Sequence, residues 1–386
     1  MAKYNIQLMN KISKIGTKIF DNKYVLGEEI ENPEGMLVRS AVLHDTVFPD
    51  PLRCIARAGA GVNNIPLDRC ADEGIVVFNT PGANANAVKE LVLASLFLAS
   101  RDIIGGVQWA NTLEGDPEAA KKVEKGKSAF GGYEIFGKTL GIIGLGAIGR
   151  LVANAAVALG MSVVGCDPYL SDAARAELDP KVGVVATFEE VYSASDYITL
   201  HVPSTPSTKG MVNAESIKGM KDGVRILNLA RADLVVSTDM LAALESGKIA
   251  KYVVDFPTDD VIGKNKNIVA IPHLGASTEE AEDNCAVMAV NQTIDYLENG
   301  NIKNSVNYPN LSLPRTADTA RVCVLAKAGI AEAVNGAVAD AFGAPVASVS
   351  AEKGNYAYYI FDVKGDIGAT DPISEVDGVI RVVSFL

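Results

Sequence analysis

The run Leu140-Gly141-Ile142-Ile143-Gly144-Leu145-Gly146-Ala147-Ile148-Gly149 decides the fold of this chain. It predicts an apolar strand, a turn with the pattern GxGxxG, and the start of a helix that continues to Leu159. Each glycine has its own physical reason: Gly144 permits the tight turn, Gly146 lets the backbone approach a pyrophosphate, and Gly149 lets the helix pack closely. The free amides and the dipole at the helix N-terminus attract phosphates. We therefore predict a dinucleotide-binding site here, in preference to a structural glycine turn.

The strand that follows this helix ends in an acidic residue, Asp167, after the run Ser162-Val163-Val164-Gly165-Cys166. A carboxylate at this place accepts hydrogen bonds from both hydroxyls of a ribose, and its charge repels a 2′-phosphate. The arrangement therefore favours NAD over NADP as the cofactor. Further strand-like runs follow at residues 197–201, 225–229, 252–255 and 268–271. With the helical segments between most of them, they predict a doubly wound parallel sheet of about six strands.

The chain on either side of this sheet forms two further parts. Before it, buried strand-like runs at residues 35–39, 55–58 and 74–79 are spaced by helix-length segments, which is typical of a parallel sheet, and a long apolar helix is predicted at 86–102. After it, a helix at 278–299 leads to a tail with strand-like runs at residues 321–325, 344–349, 356–362 and 379–383. Helices at 330–342 and near 373–376 interrupt these runs, so the predicted order is βαββαβ, a small ferredoxin-like sandwich.

Length and composition limit the class of protein. At 386 residues the chain is long enough for two or three domains of about 150 residues. Its formal net charge of −12 argues against nucleic acid as a partner, and the apolar run at 91–100 is too short to cross a membrane. The five cysteines are scattered, which favours free thiols in a reducing compartment over disulfides or a metal site. Because residues 1–20 offer no signal-peptide core, we expect a cytoplasmic protein.

Two side chains that follow strands predict the chemistry. His273, in Ile271-Pro272-His273-Leu274-Gly275-Ala276, comes directly after a strand, where a general acid or base would lie beside a nicotinamide. Arg231 ends the run Asn228-Leu229-Ala230-Arg231, and arginine is the residue type that binds a carboxylate bidentately. We predict that Arg231 holds an α-hydroxy or α-keto acid while His273 exchanges the hydroxyl proton. A carboxylate would orient the imidazole, and the candidates are Asp255, Asp259 and Asp260.

The chain has two other histidines. His44 follows a strand without an obvious partner, and we expect it at the surface. His201 lies in Leu200-His201-Val202-Pro203, at the carboxyl end of a strand where ligands bind in such sheets. We expect it to line an adenine pocket.

Taken together, these segments resemble the D-isomer-specific 2-hydroxyacid dehydrogenases, over essentially all of the chain to about Pro309. The resemblance rests on the glycine pattern, on the segments around Arg231 and His273, and on three segments nearer the N-terminus. Those three are Val38-Arg39-Ser40, Arg57-Ala58-Gly59-Ala60-Gly61-Val62-Asn63-Asn64 and Asn79-Thr80-Pro81-Gly82-Ala83-Asn84. They are most similar to the family members that act on 3-phosphoglycerate. The implied activity is the NAD-dependent oxidation of 3-phospho-D-glycerate to 3-phosphohydroxypyruvate, the first step of serine biosynthesis.

The family's residue roles carry over position by position. The resemblance implies that Arg231 binds the substrate carboxylate, that His273 is the acid/base, and that Asp255 bonds the carboxamide of nicotinamide. The residues expected to bind NAD are Gly144, Gly146, Ala147, Ile148, Gly149, Asp167, His201, Val202, Pro203, Leu229, Ala230, Asp255, Gly275 and Ala276. Those expected to bind the substrate are Arg39, Ser40, Arg57, Ala58, Gly59, Ala60 and Asn84. Two arginines would attract a trianion to an otherwise acidic protein.

Three segments depart from the family pattern. The family usually has Arg-Gly-Gly where this chain has Arg231-Ala232-Asp233, and it usually has an aspartate where this chain has Asn63. By ungapped spacing, the family glutamate that partners the catalytic histidine falls on Asp260. The aspartate side chain is one methylene shorter, so its backbone must come closer to the imidazole. We predict that Asp260 still acts as a catalytic residue paired with His273, with Asp259 as the alternative.

The resemblance also implies the domain plan. Residues 99–279 form a dinucleotide-binding Rossmann domain, inserted in a flavodoxin-like α/β substrate domain of residues 1–98 and 280–308. Residues 315–386 look like an ACT domain, a small amino-acid-sensing module, but the loop at 326–330 lacks the family's usual Asn and Pro-Gly turn. The expected partners are a small anionic 2-hydroxy acid and further copies of the chain, as a homodimer or homotetramer.

Two other functions fit the same segments. One is a glyoxylate or hydroxypyruvate reductase of the same family, for which Arg39 and Arg57 would matter little. The other is a non-catalytic, NAD(H)-sensing protein similar to the transcriptional corepressors built on this fold. The ACT-like tail weighs against the second.

Overall fold

The computed structural model describes residues 4–365 and 370–385. The chain forms two compact units: the first contains Met1–Asn84 and Glu279–Leu386, and the second contains Ala85–Thr278. None of the helices in the described part of the chain combines the length and the apolar character needed to cross a lipid bilayer.

The two units contain the following strands and helices. The strands are β1 (Tyr4–Leu8), β2 (Tyr24–Gly27), β3 (Gly35–Val38), β4 (Cys54–Arg57), β5 (Val76–Phe78), β6 (Thr139–Ile143), β7 (Ser162–Cys166), β8 (Val182–Val184), β9 (Tyr197–Leu200), β10 (Val224–Asn228), β11 (Ile249–Val254), β12 (Ile268–Ala270), β13 (Ala320–Lys327), β14 (Ala347–Lys353), β15 (Tyr356–Val363) and β16 (Val379–Phe385). The α-helices are α1 (Lys14–Thr17), α2 (Leu67–Asp72), α3 (Ala85–Ser100), α4 (Ile103–Asn111), α5 (Ala119–Gly126), α6 (Ala147–Ala158), α7 (Asp172–Ala176), α8 (Phe188–Ala194), α9 (Ala214–Lys218), α10 (Ser237–Ser246), α11 (Glu279–Asn299), α12 (Ala331–Phe342) and α13 (Asp371–Ser374). Two short 3₁₀ helices are Lys127–Phe130 and Ala232–Leu234.

The first unit contains a five-stranded parallel sheet in the order β2-β1-β3-β4-β5. The inner strands β3 and β4 and the edge strand β5 are almost wholly buried, which is why their unbroken apolar runs were recognisable in the sequence. The strands β1 and β2 were not predicted. Both are short and partly exposed, with polar residues among the apolar ones, so neither has the pattern of a buried strand.

The second unit contains a seven-stranded parallel sheet in the order β12-β11-β10-β9-β6-β7-β8. The strand order reverses beside β6, and ligands bind at such a switch point in doubly wound sheets. The prediction of a parallel, Rossmann-like α/β sheet is confirmed; the strand beyond the predicted six is the three-residue β8. Helix α3 packs on α6, β10 and β11, so the second unit begins at Ala85, whereas the predicted cofactor domain began at residue 99.

The tail of the chain forms a four-stranded antiparallel sheet in the order β14-β15-β13-β16. The element order is βαββαβ, as predicted. One face of this sheet contributes to the main apolar core of the first unit, through Cys323, Leu325, Tyr358, Ile360, Val383 and Phe385. The other face packs on α12 and α13, through Val322, Val324, Tyr359 and Phe361. The sheet is therefore covered on both faces.

A buried ion pair ties this sheet to the rest of the first unit. Arg321 and Asp362 are fully buried and form a bidentate pair with N–O distances of 2.7 and 3.0 Å. The same guanidinium donates to the carbonyl oxygens of Asn299, at the end of α11, and of Pro314. The pair therefore connects the tail to the helix that precedes it.

Candidate active site

The glycine-rich turn after β6 has the geometry that a dinucleotide requires. Gly144 has φ +93°, and a Cβ there would lie 2.7 Å from the carbonyl oxygen of His201. A Cβ on Gly149 would overlap the carbonyl oxygen of Gly144, so only glycine lets α6 start this close to the strand. A Cβ on Gly146 would meet no atom within 4 Å. The space over Gly146 is therefore open, as a pyrophosphate at the N-terminus of α6 needs.

Asp167 lies beside this turn. One oxygen of its carboxylate accepts the backbone amide of Leu145 at 2.9 Å, and the other accepts the amide of Tyr169 at 2.9 Å. The carboxylate is thus fixed next to the glycine turn at the end of β7, where the ribose of a bound dinucleotide would lie. Ala147 and Ile148 form the first turn of α6. These residues fit NAD.

His201 follows β9 on the other side of β6. Its backbone amide donates to the carbonyl oxygen of Ile143 at 2.7 Å, and its ring Nε2 lies 2.9 Å from Oγ1 of Thr199. Burial lowers the pKa of His201 to about 4. The backbone of His201 and the side chain of Val202 lie against Gly144, so the neutral His201 is next to the glycine turn, which is compatible with the predicted adenine pocket.

Asn228 shapes the turn that carries Arg231. Its buried carboxamide donates to the carbonyl oxygen of Arg231 at 2.8 Å and accepts the amide of Ala230 at 3.2 Å. Leu229 is buried, whereas Arg231 is exposed and donates to the carbonyl oxygen of Ala230 at 2.6 Å. Sequence reasoning did not assign a role to Asn228. A buried amide side chain at the end of an apolar strand is the signal that would have found it.

Asp255 fixes the loop that carries His273. Its two carboxylate oxygens accept the backbone amides of Leu274 and Gly275, at 2.7 and 2.8 Å. Burial raises the pKa of Asp255, and the two amides oppose that rise. A Cβ on Gly275 would lie 2.9 Å from the carboxylate, so a larger residue here would have to displace Asp255. The neighbouring Ala276 is partly exposed. Asp255 therefore determines the path of the chain just after His273.

His273 itself is exposed and has φ +53°, a left-handed conformation that non-glycine residues seldom adopt. Such backbone strain is common at functional sites. Its imidazole packs on the phenyl ring of Phe256, with 4.1 Å between the ring centroids. The guanidinium carbon of Arg231 lies 5.2 Å from the centroid of the same ring. The structure thus brings Arg231 and His273 to one aromatic side chain, which sequence reasoning had not singled out.

The structure does not bring Asp260 to His273. Hydrogen bonds from the side chains of Thr258 and Ser237 lower the pKa of the exposed Asp260 carboxyl. Within residues 4–365 and 370–385, the imidazole of His273 has no hydrogen-bonding partner, so the exposed Asp259 does not bond it either. The predicted pair of His273 with Asp260 is therefore absent from this conformation, because the loop after β11 directs Asp260 toward the start of α10.

The expected substrate residues lie together in the first unit. Arg57 donates through Nε to the carbonyl oxygen of Arg39 at 3.1 Å, and Arg39 forms an ion pair with Glu282 at 2.6 Å. The side-chain oxygen of Asn10 accepts three successive amides, those of Arg39, Ser40 and Ala41. The loop of Ala58, Gly59 and Ala60 is joined to the next loop by the amide of Thr80, which donates to Gly59, and by the side chain of Asn79, which donates to Ala60. Asn84 ends this part of the first unit and is partly exposed. The two arginines are thus joined by the hydrogen bond from the Arg57 side chain to the Arg39 backbone.

Comparison with known proteins identifies the class. Residues 107–275 match the family described as "D-isomer specific 2-hydroxyacid dehydrogenase, NAD binding domain". These residues lie in the second unit and include the glycine turn, Asp167, Arg231 and His273. Residues 107–275 of this chain are thus similar to the NAD-binding domain of these dehydrogenases.

Particular relatives carry a narrower name. The chain is 35% identical over 297 residues to "D-3-phosphoglycerate dehydrogenase" of Bacillus subtilis, a match that covers 74% of this chain and 53% of the relative. It is 33% identical over 319 residues to the protein of that name from Methanocaldococcus jannaschii, covering 79% of this chain and 58% of the relative. The chain therefore spans about half the length of the curated relatives it matches. Among solved structures, the NAD⁺-bound 3-phosphoglycerate dehydrogenase of Entamoeba histolytica is similar at 26% identity, with a TM-score of 0.61, over 80% of this chain and 100% of that one.

Proposed function

We propose that this protein oxidises 3-phospho-D-glycerate to 3-phosphohydroxypyruvate with NAD, the first step of serine biosynthesis. The observation that carries the proposal is the shared contact of Arg231 and His273 with Phe256, in the unit that also carries the glycine turn and Asp167. An arginine that binds a carboxylate and a histidine that exchanges a proton are the two groups that oxidation of a 2-hydroxy acid requires. The names of the relatives support 3-phosphoglycerate as the substrate.

The residues of this chain would divide the work as follows. Gly146 and the amides at the start of α6 would hold the pyrophosphate of NAD, and Asp167 would bind the ribose. Asp255 would fix the loop that faces the nicotinamide. When bound, NAD supplies the oxidant, which accepts a hydride from C2 of the substrate. Arg231 binds the substrate carboxylate through two N–H groups and so orients C2. His273 accepts the proton of the C2 hydroxyl as the C–O bond becomes a carbonyl, so that the substrate loses one hydride and one proton.

Arg39 and Arg57 are proposed to bind the phosphate of the substrate. The guanidinium of Arg57 bonds the backbone of Arg39, so the two positively charged residues are neighbours in a protein whose net charge is −12. Charge-assisted bonds from arginine to phosphate are among the strongest hydrogen bonds in proteins. When the substrate binds, its phosphate would replace Glu282 as the ion-pair partner of Arg39.

For the tail we propose an ACT-like module that takes part in a homodimer or homotetramer. The βαββαβ order and the four-stranded antiparallel sheet support this assignment. The loop at 326–330 lacks the polar residues that the family uses for an effector, so we expect L-serine to give no heat in a calorimetric titration and to leave the rate unchanged. The five cysteines are free and buried, which supports a reducing compartment such as the cytoplasm.

The test of the activity is a panel of 2-hydroxy acids with NAD, and of the matching 2-keto acids with NADH, read as absorbance of NADH. We expect turnover of 3-phosphoglycerate and of 3-phosphohydroxypyruvate well above turnover of glycerate or glyoxylate. Equal rates with the acids that lack a phosphate would show a reductase of broader range. A protein that binds NADH but turns over no member of the panel would be a cofactor-sensing protein.

A further inference from the structure

The aromatic ring shared by Arg231 and His273 has a consequence for catalysis, which rests on the proposed function. A catalytic imidazole needs a fixed orientation as well as a suitable position, and this orientation commonly comes from a hydrogen-bonded carboxylate. Of the three candidate carboxylates, two are engaged elsewhere, and the third, Asp259, is exposed and forms no hydrogen bond with His273. Both oxygens of Asp255 accept backbone amides, and Asp260 bonds Thr258 and Ser237.

The contact between His273 and Phe256 can supply the orientation instead. The ring centroids are 4.1 Å apart and the ring planes are inclined by 45°, which is within the range of favourable aromatic pairs. The backbone of His273 is fixed on its C-terminal side by the amide bonds of Leu274 and Gly275 to Asp255. What remains free is rotation of the imidazole about its side-chain bonds, and an aromatic surface at van der Waals distance limits that rotation.

Arg231 is restrained by the same ring. Its guanidinium carbon lies 5.2 Å from the Phe256 centroid, a distance at which a cation is attracted to the face of an aromatic ring. The Arg231 backbone is held separately, by the carboxamide of Asn228. Phe256 directly follows the Asp255 that fixes the His273 loop, so one short segment after β11 restrains both reacting side chains.

We propose that Phe256 is the positioning residue of this active site, and that it orients the imidazole of His273 and the guanidinium of Arg231 in place of an acidic partner. Phe256 itself exchanges no proton and binds no substrate. The groups near His273 are then the ring of Phe256, which also contacts the guanidinium of Arg231, and the amide-bound carboxylate of Asp255.

The contact is first tested in the protein without cofactor or substrate. The chain has only three histidines, so their ring signals separate in a spectrum of protein labelled with ¹³C-histidine, and His273→Gln assigns one of them. We expect magnetisation transfer between the ring protons of His273 and Phe256, and an upfield position of the His273 signals that is lost in Phe256→Leu. Absence of any transfer between the two rings in the wild-type protein would overturn the proposal. This arm needs no turnover, so it is independent of the proposed function.

Kinetics then test what the contact does. A displacement of a reacting group by about 1 Å can cost about 100-fold in rate, so we expect Phe256→Leu to lower kcat by about that factor. The KM values, and the Kd for NADH from fluorescence, should change little. Phe256→Tyr keeps the ring and should retain most of kcat.

The reverse pattern would contradict the proposal. If Asp260→Asn lowered kcat and altered the pH profile while Phe256→Leu left both intact, an acidic partner would orient the histidine during turnover. The tyrosine variant and the wild-type spectrum keep the test decisive even if Phe256→Leu folds poorly. Failure of the wild-type protein to turn over any 2-hydroxy acid would reject the proposed function and leave the spectroscopic result standing.

Discussion

Gly149 approaches Gly144 so closely that a methyl group on Gly149 would overlap the carbonyl oxygen of Gly144. That oxygen belongs to the backbone of the turn and cannot rotate away as a side chain could. Gly149→Ala must therefore move α6 or the turn, and we expect a loss of about 1–3 kcal/mol in the free energy of unfolding. Thermal denaturation without ligand measures this loss.

Gly146 provides the matched control. A methyl group there meets no atom within 4 Å, and φ is −66°, so alanine is compatible with the fold. We expect Gly146→Ala to keep the melting temperature of the wild-type protein and to weaken NADH binding, because the methyl group occupies the space expected for the pyrophosphate. A Gly146→Ala protein that binds NADH as well as the wild type would place the cofactor elsewhere.

Replacing Asp255 should disturb the His273 loop. Asp255→Asn leaves a single acceptor oxygen for the two amides of Leu274 and Gly275, so one buried donor loses its partner. Such a loss costs about 1–3 kcal/mol. We expect a lower melting temperature and a lower kcat together. Hydrogen exchange at the amides of Leu274 and Gly275 checks the cause, since it should accelerate in the variant.

His201 should make stability depend on pH in a defined direction. Burial lowers its pKa to about 4, whereas in the unfolded chain a histidine has a pKa of about 6.5. The unfolded state then binds a proton more readily, so this contribution to stability is complete above about pH 6.5 and is lost as the pH falls toward 4.

The check is the melting temperature of wild type and His201→Gln between pH 7 and pH 4.5. The variant should lose less stability on acidification, because it has no imidazole to protonate. Equal losses in the two proteins would show that His201 titrates normally.

Removing only one member of the buried pair of Arg321 and Asp362 should lower the free energy of unfolding strongly. Arg321→Met leaves a buried carboxylate without its cation, at an expected cost of about 3–5 kcal/mol. The double variant Arg321→Met/Asp362→Leu removes both charges and should be less destabilised than Arg321→Met alone. Urea denaturation of the three proteins compares them.

The pH dependence of this pair follows from its pKa. Burial acts to raise the pKa of Asp362, but hydrogen bonds from Arg321 and Thr316 outweigh it and lower the pKa overall. In the wild type the pair therefore stabilises the fold above the unfolded pKa of about 4 and loses this effect as the pH falls further. In Arg321→Met burial is unopposed by the guanidinium, so the destabilisation should shrink as the pH is lowered from 7 toward 4.

Arg39 and Arg57 should select for the phosphate. Because each charge-assisted hydrogen bond contributes about 1.5–3 kcal/mol, Arg39→Ala or Arg57→Ala should raise the KM for 3-phosphoglycerate by about 10- to 100-fold. The KM for a 2-hydroxy acid without phosphate should change far less. Glu282→Gln is the control, since it removes the ion-pair partner of Arg39 and keeps both arginines. Equal effects on both substrates would assign the arginines to folding.

The cofactor-binding fold was largely predictable from the sequence, for a local reason. The run from Leu140 to Gly149 encodes a buried strand, a left-handed turn and a helix start within ten consecutive positions. Gly144 and Gly149 make the close approaches expected of them, and Gly146 borders open space. The strands β1 and β2 and the three-residue β8 were missed because short, partly exposed strands lack a distinctive apolar pattern. The second unit starts at Ala85 and the predicted domain at residue 99; the difference is the helix α3, whose packing partners are distant in sequence.

The active-site partners were harder to predict. Sequence spacing assigned Asp260 to His273, but that assignment assumed that the loop after β11 follows the same path as in the family. In the structure, Phe256 meets the imidazole, while Asp260 bonds Thr258 and Ser237. The contacts of Asn228 and Asp255 with backbone amides could not be predicted from the sequence either, because they depend on the loop conformation and not on residue type.

The tail sheet differs from a module on a flexible tether. Because its one face completes the core beside Tyr296, Leu297 and Tyr308, a chain cut after Pro309 would expose these large apolar groups to water and would be prone to aggregate. Lys327 and Tyr356 also bond Asp72 in α2. A small molecule that distorted the tail would therefore also distort the unit that carries Arg39 and Arg57. We expect its first effect to be a change in the KM for a substrate that carries a phosphate.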